Sequence, residues 1–273
     1  MLDFLYQTSN FTIFIILSSV AMAISIISVF FSKRYIFYRL KYRDNATIGS
    51  ISSLIGVIYG VLGGLMALYL LNNNNQACDA VVREADNIAN IYRSSQWLNG
   101  PQQGQIRLEL ENYINQVVQV EWPLMRQGKK IDLAGDFIIQ RISKILKTYS
   151  IQNNSELLIM QNLLTEVNML YHARHTRINL SFLQLTPQLW GVILIATILI
   201  IGINYAFRVN FYLHLFAISA FAIMAASMLF LLVTLDRPFQ GEFIIEPDAF
   251  NVVLDLIHAG QSESAIKPLP VHT

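Results

Sequence analysis

ISSLIGVIYGVLGGLMALYLL, residues 51–71, is the stretch on which the fold turns, because it contains no Asp, Glu, Lys or Arg. A helix needs about 20 predominantly apolar residues to cross the hydrocarbon core of a bilayer. In lipid the backbone must satisfy its own hydrogen bonds, so the run is predicted to be one transmembrane helix. Three more runs read the same way: Phe11–Phe31, Leu189–Phe207 and Phe211–Leu235. Composition agrees. Of the 273 residues, 54% are hydrophobic and only 14% charged, against about a quarter charged in ordinary globular proteins.

The first run carries an Ala21-Met22-Ala23 triplet that resembles a signal-peptide cleavage site, but no positive segment precedes it and the run continues to Phe31. It reads as a retained anchor. The connection after it holds Lys33, Arg34, Arg39, Lys41 and Arg43 against Asp44, and such positive loops stay in the cytoplasm. The N-terminal segment lacks Lys and Arg. The short turn between the third and fourth runs holds Arg208, and the tail is acidic through Asp236, Glu242, Glu246, Asp248 and Asp255. The expected topology puts both termini and the middle domain on the non-cytoplasmic side of a bacterial inner membrane.

Residues 72–186 are polar enough for water, with 11 Lys/Arg and 10 Asp/Glu. Their apolar positions keep helical spacing: Val81, Ala85, Ile88 and Tyr92; Leu108, Tyr113, Ile114, Val117 and Val120; Phe137, Ile138, Ile142, Ile145 and Leu146; and Leu157 to Leu170. A 3.6-residue period without strand-like alternation predicts four amphipathic helices. Asn99-Gly100-Pro101, Trp122-Pro123 and Gln127-Gly128 punctuate them, and Ser155 is a plausible cap for the fourth. The asparagines at 72–75 include no Pro or Gly, so the second membrane helix can run on into the first soluble helix. The last soluble helix can likewise run towards the third membrane helix, with Pro187 at the junction. The predicted fold is all-α: a transmembrane hairpin in 1–71, a soluble helical domain in 72–186, a second hairpin in 187–237 and an extramembrane tail in 238–273.

No phosphate-binding glycine loop, nucleophile elbow or HExxH occurs, and nothing implies a cofactor or metal. The single cysteine, Cys78, excludes an internal disulfide framework. A net charge of +1 offers no field to draw nucleic acid. His172 and His175, beside Arg174 and Arg177, share a helical face; two histidines among arginines make a poor metal site, and the face reads as solvated or interfacial. Gly56, Gly60 and Gly64, with Gly63 beside them, form a small-residue ridge that lets another backbone come close in lipid. Together with Ile55, Ile58, Tyr59 and Leu62 these are candidates for helix packing or for lining a pore. No run holds an intramembrane charge, which counts against a proton-coupled transporter.

The closing stretch Leu235-Asp236-Arg237-Pro238-Phe239-Gln240-Gly241 after a fourth membrane helix resembles the hallmark of bacterial bestrophin-like membrane proteins. Also similar are Ile58-Tyr59-Gly60-Val61-Leu62-Gly63, Glu84-Ala85 followed by Tyr92-Arg93, Tyr113 followed by Glu121-Trp122-Pro123, and Trp190, over about residues 10 to 250. The resemblance implies remote likeness to bestrophins, which are pentameric anion channels with four membrane helices per subunit. It makes Glu84, Arg93, Glu121, Trp122, Pro123, Asp236, Arg237, Pro238, Phe239 and Gly241 candidate functional residues. The orientation read above departs from bestrophins, whose middle region is cytosolic.

Three functions follow as expectations. The first is a homo-oligomeric ion channel, anion-selective or weakly selective, lined by the second helix and passing small ions, with apolar rings of Ile55, Ile58 or Leu62 gating by dewetting. The second is a non-conducting membrane sensor or scaffold whose soluble helices bind a partner. The third, a membrane enzyme using Glu84, Arg93, Glu121 and Asp236, lacks any recognised acid–base spacing, so the chain reads as a non-enzyme.

Overall fold

The structure, a computed structural model, describes residues 10–35, 42–240 and 245–265. All regular elements among them are helical: α1 (Asn10–Tyr35), α2 (Asn45–Ser95), α3 (Gln102–Asn115), α4 (Trp122–Arg126), α5 (Ala134–Lys147), α6 (Asn154–Ser181), α7 (Pro187–Asn204), α8 (Phe211–Leu235) and α9 (Asp248–Ala265). A π-helical turn, Gln116–Glu121, joins α3 to α4. Three helices are long and apolar enough to cross a membrane: α2, α7 and α8, with mean hydropathies of 2.2, 1.9 and 2.5 over their most apolar windows. The apolar stretch Phe11–Ile27 of α1 is shorter.

The chain divides into two compact units. The first holds α1, α2 as far as Asn74, α7 and α8. Here α1 packs along α8, with Phe14 set edge-on to Phe230 at 5.4 Å. Tyr59, Met66 and Leu70 of α2 meet Ile193 and Ile200 of α7 and Ala225 and Leu232 of α8. Several neutral polar groups pair between or along the helices of this unit. Ser52 donates to Asn204 Oδ1 at 3.3 Å, Asn204 donates to the Ile200 carbonyl at 2.6 Å, and the Thr197 and Tyr59 hydroxyls lie 3.4 Å apart. The Asn45 amide both donates to the Arg208 carbonyl and accepts from its N–H, each at 2.9 Å, which ties the α7–α8 turn to the start of α2.

The second unit holds α2 from Asn75, α3 to α6 and α9. Its core takes Ala85 and Ile88 from α2, Ile106, Leu110 and Tyr113 from α3, Ile142 from α5 and Leu163 from α6. The C-terminal segment is more than a tail, because α9 inserts Phe250, Val253 and Ile257 into that core.

Two junctions answer the continuity expected from the sequence. α2 is a single helix through the asparagine run. α6 and α7 are separate, and Thr186, extended at ψ 147°, precedes Pro187 at the start of α7, because the proline ring disfavours helical geometry in the residue before it. The cap of α6 is Asn153 rather than Ser155. Asn153 accepts from the Glu156 N–H at 2.8 Å, and Glu156 accepts in return from the Gln152 N–H at 2.8 Å, a reciprocal capping pair of the kind that secures helix N-termini.

Candidate functional site

The chemistry of the second unit concentrates at its centre. The buried stripe of α6, Leu163, Val167 and Leu170, continues with steps of four, three and four residues onto Arg174, Arg177 and Ser181, all of them buried. Arg174 is 1% and Arg177 0% exposed, so the arginines turn inward, away from the face of His172, which is exposed, and His175, which is partly exposed. The acids that receive them lie on apolar stripes as well: Glu84 beside Ala85 on α2, and Glu121 four residues after Val117.

Glu121 reaches inward because of the π-helical turn. Pro123 has no N–H to continue the α-helical ladder. The Trp122 N–H instead reaches back five residues to the Val117 carbonyl. The extra residue leaves Val120, read as an inward position, 40% exposed and turns Glu121 fully inside. Such one-turn π insertions recur at functional sites.

Around these residues a continuous ionic network forms. Arg177 donates to Glu84 through Nε at 2.7 Å and through a terminal nitrogen at 3.0 Å, and that nitrogen also donates to Glu121 at 2.7 Å. Its other terminal nitrogen lies 3.3 Å from Met125 Sδ. Arg174 donates to the second Glu121 oxygen at 2.7 Å and to Asp136 at 2.8 Å. The Tyr113 hydroxyl donates to Glu84 at 2.7 Å. Trp122 and Phe250 place their rings 5.4 and 5.9 Å from the Arg177 guanidinium, within cation–π range.

Packing leaves no slack here. A Cβ on Gly135 would stand 2.5 Å from Arg174 Nε and 2.7 Å from a Glu121 oxygen, so α5 approaches the network only because that residue has no side chain. Burial, then the Glu84 charge, push the Tyr113 phenol well above its ordinary range. Burial alone would lower the Arg177 guanidinium, but Glu84 and Glu121 reverse that and hold it firmly protonated. Arg174 follows the same balance, with Glu121 as its main carboxylate. Charges in a dry interior are tolerable only when paired and hydrogen-bonded in this way.

The sequence candidates divide sharply. Glu84, Glu121 and Trp122 meet in the network, and Phe239 packs edge-on to Trp122 at 5.6 Å. Pro123 forces the π-helical turn, and the Pro238 carbonyl accepts from the Ile245 N–H at 3.2 Å. Arg93 stands apart at the surface and donates to Asn90 at 3.3 Å. In the first unit, Asp236 accepts from the Leu185 N–H at 2.6 Å and Arg237 donates to Gln184 at 3.3 Å. Gly241 lies outside the described residues. Glu84 and Glu121 share Arg177, yet both are 0% exposed, so no substrate reaches them in this conformation. Among the described residues no group of His, Cys, Asp and Glu is arranged to hold a metal ion.

The α2 candidates also split. Tyr59 is buried, Ile55 packs against the core of its unit, and Leu62 is half-buried. A Cβ on Gly63 would run into the Met228 side chain, and one on Gly56 would touch Ile200 at 3.7 Å. Gly60 and Gly64 look outward, with nothing within 4 Å of a Cβ, alongside exposed Leu54, Val57, Ile58, Val61 and Leu65. The outward face of α2 is thus apolar, small at its centre and, among the described residues, uncovered by its own unit.

A bundle of apolar helices carrying a helical unit with an ionic core defines a membrane protein. The chain belongs to the bestrophin-like family, whose domain matches residues 19–250. Its fold is shared by a crystal structure of a membrane protein, a proline-to-alanine variant, at 11% sequence identity and a TM-score of 0.66, covering 90% of this chain and 97% of the other. No curated protein matches it in sequence.

Proposed function

We propose that this protein is a homo-oligomeric ion channel of the bestrophin-like type, anion-selective or weakly selective, in which α2 lines the conducting path. Four helices cross the bilayer in this reading, α1 included, since lipid is the natural solvent for its exposed Ile15, Ile16, Val20 and Ile24. Both termini and the soluble unit face away from the cytoplasm, on the strength of the positive first connection. A pentamer is the stoichiometry suggested by analogy with bestrophins.

The observation that carries the proposal is the outward face of α2. Gly60 and Gly64 stand open among exposed aliphatic residues on a membrane-spanning helix. A glycine in a helix interior costs about 0.5–1 kcal/mol relative to alanine, so two on the face that contacts no partner within the chain favour a close approach between copies. The ionic network serves as a lock within the soluble unit. It fixes the rotation of the soluble part of α2 through Glu84 against α6, with no catalytic role.

A non-conducting sensor is the alternative reading. A polar groove of about 570 Å³ on the soluble unit, bordered by Asp79, Arg83, Asp86 and His172, is the feature that favours partner binding. Passive ion flux from liposomes holding the purified full chain separates the two. The channel reading requires flux that falls when Gly60 is replaced by Leu. Silent liposomes together with an α2 face that labels as lipid-exposed would refute it.

A further inference from the structure

The first unit contains a cavity that the channel reading leaves unused. It measures about 330 Å³ and is bordered by Ile24 of α1, Thr197, Ile201 and Gly202 of α7, and Ala225 and Ala226 of α8. Its floor is made of small residues, and a Cβ on Gly202 would meet nothing within 4 Å. Of the two hydroxyl-bearing residues on the border, Thr197 already donates to the Ile193 carbonyl at 2.8 Å and Tyr205 stands at the far end, so the body of the cavity offers water almost nothing to bind. Apolar spaces without polar partners do not hold water, and α7 and α8 both belong to the helices apolar enough to cross a membrane. The surrounding solvent is hydrocarbon.

The dimensions narrow the occupant. The α7 wall runs from Thr197 to Tyr205, eight helical steps and about 12 Å along a helix axis. That is close to the half-thickness, about 15 Å, of one leaflet's share of the hydrocarbon core. The wall ends at the turn that follows α7, where Tyr205 offers an amphipathic ring of the kind that sits at the headgroup level. We propose that this cavity is a binding site for one acyl chain of a bilayer phospholipid, seated between α1 and α7 over α8, with its headgroup at the Tyr205 end. Gly202 keeps the site open. The site is independent of whether the protein conducts.

The test places a benzophenone amino acid at Ile201, inside the cavity, or at Ile195, exposed elsewhere on α7. The full chain is held in phosphatidylethanolamine–phosphatidylglycerol vesicles, irradiated, and its intact mass measured. The Ile201 probe is expected to gain a phospholipid mass that survives detergent exchange before irradiation, whereas the Ile195 adduct fades with the exchange. Replacing Gly202 with Leu is expected to lower the Ile201 adduct several-fold and leave that at Ile195 unchanged. Equal fading at both positions would make the cavity ordinary boundary lipid and overturn the proposal, even if the Gly202 variant failed to fold. A crosslink from Ile201 to a second copy of the chain would overturn it as well and assign the cavity to a subunit interface.

Discussion

The two units solve opposite problems with one chain. In the first unit apolar side chains are exposed along the membrane-crossing helices and the buried pairs between those helices are neutral, as in Ser52–Asn204 and Thr197–Tyr59. In the second unit the core is apolar and yet five charged side chains, Glu84, Glu121, Asp136, Arg174 and Arg177, meet at its centre. The contrast teaches where specificity comes from. Lipid-facing helices are held by close contact of small residues and by neutral hydrogen bonds. Oily contacts alone would let the helices of the second unit pack in several registers, and the ion pairs at its centre favour the one that brings Arg174 and Arg177 to their carboxylates.

The comparison breaks most easily at Arg177. Replacing it with Ala leaves Glu84 and Glu121 buried without their shared cation, and removing one partner of such a group costs about 3–5 kcal/mol. Thermal unfolding of the full chain in detergent is expected to show a large loss for the soluble unit. A loss of less than about 1 kcal/mol would mean the network is solvated. Gly135→Ala comes next, at about 1–3 kcal/mol for an overpacked site, since its Cβ meets Arg174 and Glu121. The same substitution at Gly60, which has open space, is expected to leave the subunit fold unchanged, so a matched pair of melting curves sharpens the contrast between the units.

Tyr113→Phe removes one donor from Glu84 at a cost of about 1–3 kcal/mol near neutral pH. Its pH dependence has a definite sign. The folded state raises the Tyr113 phenol above its ordinary value of 10.0. Its contribution is complete below that value and is lost as pH climbs through the folded value. The advantage of wild type over Tyr113→Phe should therefore shrink only above about pH 10, as urea unfolding at stepped pH would reveal. An advantage lost near pH 7 would contradict the assignment. The smallest effect is expected for Arg126→Ala, which breaks a half-exposed ion pair with Glu246 at 2.8 Å. Such pairs contribute about 0–1 kcal/mol, and added salt should erase the difference.

Much of this was legible in the sequence because the two solvents leave different marks. Runs without charge identify α2, α7 and α8, and the Trp122-Pro123 pair marks the break that became the π-helical turn. The network was half legible. Glu84 and Glu121 came in through the family resemblance, although both already sat on apolar stripes. Arg174 and Arg177 entered only as neighbours of His172 and His175, although the stripe from Leu163 to Leu170 continues straight onto them. Asp136 and Gly135 carried no visible signal, since their roles depend on how α5 meets α6. The capping of α6 by Asn153 is local, through Glu156 three residues on, whereas the docking of α9 depends on tertiary contacts.

Cysteine accessibility along α2 tests the account's central claim most directly. Single cysteines at Gly60 and Gly64, in a chain with Cys78 replaced by Ser, are placed in liposomes and treated with a charged, membrane-impermeant thiol reagent during a flux recording. The proposal requires modification at both positions, with ion flux changed by the added charge. Cysteines that stay unmodified while the vesicles conduct would put the path elsewhere and contradict a channel lined by α2.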